Sequence, residues 1–165
     1  MRIAPGTNSP RAGLYGAAGR RKGNLRASGG GRGLMKLIVT HEEGPRFRAS
    51  NGANAVTVDQ PVHKGGTDKG MSPPEHLIVS LGACVGVYVR DFAAARDIPH
   101  EGFRVELDWE RADKPERIGR IDVRLHMPSE VPERYREALI RAAEQCLVHN
   151  TLRIAPQVSV ALADG

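Results

Sequence analysis

An α+β fold, with an antiparallel sheet carrying two main helices, is the architecture that this 165-residue sequence predicts. Short β-like runs come first, then a long apolar stretch with a helix-start signature. Two alternating runs follow, ahead of a second amphipathic helix. In order, "KLIVTHE", "RFRAS" and "AVTVDQ" are separated by "EGP" and "NGAN", so residues 36–59 predict a small meander. Residues 60–71 form a glycine- and lysine-bearing loop. Ser72 as N-cap, Pro73 at the first helical position and Glu75 three residues after the cap then open a helix. It should run to about Arg96, with Gly82 and Gly86 as places to bend, and stop before Pro99. "GFRVELDWERAD" and "RIGRIDVRLHM" predict two long strands; Ile121, Val123 and Leu125 alternate with Asp122, Arg124 and His126 as in a half-buried strand. Residues 132–147 predict the second helix, with Glu137 and Arg141 placed for an i,i+4 pair on its wet face. "VSVALA", 158–163, predicts a last strand.

Charge divides the chain. Seven of the 24 Lys/Arg and none of the 19 Asp/Glu fall in residues 1–34, leaving 17 bases against 19 acids, a net of −2, for the rest. Residues 1–34 are therefore expected to be a disordered, basic, Gly-rich extension, with Met35 as an alternative start and 35–165 as one folded domain large enough for its own core. The folded part lacks the basic footprint of a nucleic-acid binder. Its longest apolar run, broken by two glycines, falls short of the roughly 20 residues a membrane span needs. Neither nucleic acid nor membrane is an expected partner. The N-terminal segment has no secretory apolar core, so a cytoplasmic location is expected, where a disulfide would be transient.

Cys84 and Cys146 are the chain's two cysteines. Leu77, Leu81, Cys84 and Tyr88 share one helical stripe, and Tyr135, Leu139, Ala142 and Cys146 repeat its spacing on the second helix. Spacing alone leaves two readings open: small buried hydrophobes, or redox partners whose Cα atoms would have to come within about 4.4–6.8 Å. There is no CxxC. His149 follows Cys146 by three residues, but the further ligands of a metal site are not evident, so no metal or other cofactor is expected.

"MSPPEHLIVSLGAC", followed about sixty residues later by "CLVHNTL", resembles the OsmC/Ohr family of thiol-dependent peroxidases. The resemblance covers about residues 36–163, including "GPRFRAS". It implies an OsmC-like fold built as an intertwined homodimer, with Cys84 attacking a hydroperoxide to form a sulfenic acid and Cys146 resolving it as a disulfide. A dithiol or lipoyl reductant would reopen that bond. The family's activating Arg, held by a Glu from the helix start, maps by resemblance to Arg48, with Arg46, Lys64 and Lys69 as further cations. Alignment through Cys84 puts Pro74 where that Glu would stand. Glu75 falls one position later, as a catalytic partner or simply the cap of Ser72. This departure points to the OsmC-like branch rather than Ohr proper. The expected function is reduction of organic hydroperoxides or hydrogen peroxide; the alternative is a non-catalytic binding or redox-sensing stress protein of the same family.

Overall fold

A computed structural model describes residues 36–163; the predicted extension 1–34 and Met35 lie outside the described residues. The meander is formed by β1 (Ile38–Glu43), β2 (Arg46–Ser50) and β3 (Ala55–Val58), an antiparallel sheet in the order β1-β2-β3. The loop to residue 71 holds one 3-10 turn, Val62–Lys64. Helix α1 spans Pro73–Ala94, followed by the strands β4 (Arg104–Asp113) and β5 (Glu116–His126). These two pair antiparallel as a long hairpin, from Arg104 opposite His126 to Asp113 opposite Glu116. Helices α2 (Glu133–Glu144) and α3 (Leu147–Arg153) complete the described part. The α+β reading holds, with the antiparallel strands divided between two sheets.

The core lies between α1, the inner face of the hairpin and α2. Leu81, Val85, Val89 and Ala93 of α1 meet Ile98, Val131, Leu139 and Ala143, with Leu107, Ile121 and Leu125 of the hairpin packed against them. This corrects the predicted stripe. Leu77 and Tyr88 are 40% and 38% exposed, while Ile78, Val85 and Val89 are buried. Helix α1 is apolar nearly all the way round, so periodicity could not say which of its faces turns inward. Gly82 has a packing reason: a Cβ there would lie 2.7 Å from Leu107 Cδ1, so its absence lets β4 approach.

Two predicted elements differ. The second helix does not run through Cys146: α2 ends at Glu144, and Cys146, with φ −67° and ψ 146°, starts α3 as its N-cap. The sulfur serves as the capping acceptor there, a role that an apolar-stripe argument cannot detect. "VSVALA" is not a strand in this chain. It has no ladder partner among the described residues, and Val158, Val160 and Leu162 are 79%, 96% and 98% exposed. A strand exists only through its neighbour's hydrogen bonds. The predicted Glu137–Arg141 pair is present at 3.2 Å.

Candidate thiol site

Cys84 lies midway along α1, half-buried against the core, whereas Cys146 is fully buried within it. Helix α1 packs on both α2 and α3, and the Cys84 and Cys146 side chains are neighbours. The Cys146 Sγ accepts the His149 backbone N–H at 3.3 Å. Burial pushes the Cys146 thiol above its ordinary 9.0; the His149 N–H draws it back in part, and the neighbouring Cys84 side chain adds to the push. At neutral pH Cys146 is thus a proton-bearing thiol. The pair is unequal: a half-buried Cys84 beside a Cys146 that has no exposed surface.

The other predicted residues stand elsewhere. Glu75 is nine residues before Cys84, about 14 Å along the helix axis. Its carboxylate accepts the Ser72 backbone N–H at 2.7 Å and the Ser72 hydroxyl at 2.6 Å. Those two bonds hold it below the usual carboxylate range, the hydroxyl contributing most. This is the capping role, in place. Arg48 sits on β2 opposite Thr57 and lines a hollow of about 400 Å³ on the meander with Lys36, Ile38, Thr40 and Ser50. Arg46 is engaged by Glu42 at 3.4 Å and Glu43 at 2.8 Å.

Lys64 and Lys69 belong to a loop fastened by a residue that the sequence reading passed over. Asp59, 1% exposed, accepts the Thr67 hydroxyl at 2.7 Å and the N–H groups of Gln60, Thr67 and Lys69 at 2.8, 3.1 and 3.1 Å. The Thr67 hydroxyl is the main cause of its pKa falling from 3.8 to about 2; burial opposes and the three N–H groups assist. Gly66 and Gly70 let the loop fold back, since a Cβ would come within 1.7 Å of the Gln60 carbonyl oxygen and 2.3 Å of that of Thr57. Partners eight and ten residues away leave no short-window signal.

Also unforeseen is a groove of about 770 Å³ between the start of α1, the hairpin and α3. Leu77, Leu81, Trp109, Ile121 and Leu152 give it apolar walls, and Arg111, Arg117, Arg120 and Arg153 give it cations. Leu81 is one turn before Cys84, and His149, also in the lining, is the residue bonded to Cys146. Neither cysteine is in the lining, so the groove meets the thiol pair only through these two neighbours. Arg117 and Arg120, three residues apart, would fall on opposite faces of a regular strand. The register shift opposite Glu110 and Arg111 is a feature that alternation could not announce.

A family model described as OsmC-like protein matches residues 66–161. No curated protein matches the chain. Among solved structures, a Psychrobacter arcticus protein named for osmotic stress induction and detoxification response aligns with TM-score 0.67 and 22% identity, over 73% of this chain and 89% of that one. An OsmC-like protein from Mycoplasma pneumoniae gives 0.62 and 21%, over 75% and 90%. An organic hydroperoxide resistance protein from Legionella pneumophila gives 0.55 and 19%, over 76% and 93%. At these identities the likeness is one of fold.

Proposed function

Because the chain belongs to the OsmC-like family, we propose that it is a thiol-dependent peroxidase that reduces organic hydroperoxides, or hydrogen peroxide, through Cys84 and Cys146. The observation that carries this reading is the pairing of a half-exposed Cys84 with a buried Cys146 from another element. A Cys84 thiolate attacks the terminal peroxide oxygen; the S–O bond forms as O–O breaks, and the departing alkoxide takes a proton to become an alcohol. The Cys146 sulfur then attacks the resulting sulfenic acid. Hydroxide leaves and accepts the Cys146 proton, giving water and a Cys84–Cys146 disulfide. A thiol held above its ordinary pKa keeps that proton until the water forms, and it is a poor competitor for peroxide.

The groove supports an organic substrate, its apolar walls suited to an alkyl body and its arginines to a polar end. Of those arginines, Arg111 and Arg120 are paired with Glu116 and Asp122. A dithiol or lipoyl reductant would reopen the disulfide, and a cytoplasmic location suits such a cycle. A homodimer is part of the same proposal. Leu37, Ile38, Val39 and Val56 of the meander and Val79, Val87 and Tyr88 of α1 are exposed in one chain, a quantity of apolar surface that a second copy would cover. Arg48 stays the proposed activating cation, reaching a thiol across that interface. The alternative, a non-catalytic redox sensor, draws on Glu75, whose carboxylate is engaged at Ser72 and not beside a cation of the thiol site. The test is consumption of cumene hydroperoxide with dihydrolipoamide or dithiothreitol as reductant. Catalytic turnover supports the peroxidase; stoichiometric oxidation that stops after one equivalent leaves the sensor.

A further inference from the structure

We infer that reduction of the pair has a fixed direction: the external thiol attacks Cys84, and Cys146 is the sulfur that leaves. The inference rests on the disulfide of the proposed cycle but not on a peroxide having formed it. Thiol–disulfide exchange requires the incoming thiolate to approach one sulfur from the side opposite its partner, along the bond that breaks, and access to that side governs which sulfur is taken. Cys84 is the member of the pair that keeps exposed surface, so an approach to it from solvent exists. For Cys146 the opposite side is core: the sulfur has no exposed surface and is enclosed in the cluster with Val89, Leu139 and Ala143. An attacker would have to displace that packing to reach it.

The electron pair is received where a donor already stands. As the thiolate RS⁻ bonds to Cys84, the Cys84–Cys146 bond breaks and its electrons pass to Cys146 Sγ, toward which the His149 backbone N–H points at 3.3 Å. The buried sulfur then takes a proton, released by the reductant's second thiol, and returns to its neutral state. That second thiol, now a thiolate, attacks its own mixed-disulfide sulfur and expels Cys84. Two electrons and one proton have moved from the dithiol monoanion, which leaves as a disulfide, so that Cys84 is released as the thiolate and Cys146 as the thiol. A neutral, enclosed Cys146 is slow to strike back at the mixed disulfide, so the reductant's second thiol wins.

The experiment uses the full chain oxidised with diamide, so that the disulfide is obtained whether or not the protein consumes peroxide. A substoichiometric monothiol, 2-mercaptoethanesulfonate, is added, the mixture is acid-quenched and free thiols are capped with N-ethylmaleimide. Peptide mass spectrometry should find the sulfonate on Cys84 and maleimide on Cys146 in excess of the reverse by about tenfold or more, as expected for attack governed by access. Equal labelling, or the adduct on Cys146, overturns the inference, as does failure of diamide to produce an intrachain disulfide. An adduct on Cys84 in a protein that does not turn over hydroperoxide upholds the direction while removing the peroxidase reading.

Discussion

At the scale of single residues, the two cysteines divide their work by exposure, and their variants should divide likewise. Cys84→Ser should abolish hydroperoxide consumption. Cys146→Ser should allow the first attack and then accumulate sulfenic and overoxidised Cys84, with turnover lost or dependent on external thiol; intact-mass spectrometry after one equivalent of hydroperoxide reads both. Equal survival of activity in the two variants would remove the assigned roles. Asp59 gives a prediction about acid. Its pKa is depressed in the folded state, so its contribution is complete above the unfolded value of 3.8 and is lost as pH falls toward about 2. Asp59→Asn should lower the urea midpoint at pH 7 and flatten its fall between pH 4 and 2. A variant with the parent's acid profile would show that the loop is held by something else. Cys84 and Cys146 were legible because their motifs are local, whereas Asp59 acts through Thr67 and Lys69, contacts visible only once the loop has closed.

At the scale of elements, a helix start is a local signal and the inward face of a helix is not. Ser72, Pro73 and Glu75 placed the beginning of α1 to the residue, because a capping box is a local contract between neighbours. Which side of α1 turns inward is decided by what packs on it, here Leu107 over Gly82. The inward face is testable by truncation. Leu81→Ala, at a 4% exposed position, should cost about 2–5 kcal/mol in chemical denaturation, and Leu77→Ala, on the predicted but outward part of the stripe, clearly less. Equal costs at the two positions would return the helix to its predicted orientation, in which both residues face the core. The split of the second helix at Cys146 follows the same logic. Gln145 closes α2 in helical geometry, the next residue turns extended, and its sulfur opens α3. Composition around 145–147 contains no proline or glycine to announce such a break.

At the scale of the whole molecule, the features left unfinished within one chain share a chemistry. The meander's apolar residues, the outer face of α1 and the alternating tail are all suited to other protein surface. Sedimentation at micromolar concentration should show a dimer, and a fully active monomer would defeat that proposal. The absent last strand is the instructive miss: its alternation was legible, but the ladder partner that makes alternation into a strand is not supplied by the described chain. A tail of that kind makes stability a property of the solution as well as of the sequence. If Val158, Val160 and Leu162 are ordered only against a second copy, then by mass action the melting temperature must climb with protein concentration. A hundredfold dilution would favour the unfolded state by about 2.7 kcal/mol per dimer. A melting temperature indifferent to dilution across that range would mean that each chain holds its own tail. Under the dimer proposal, the cell's stock of this protein is itself a determinant of how firmly each copy is folded.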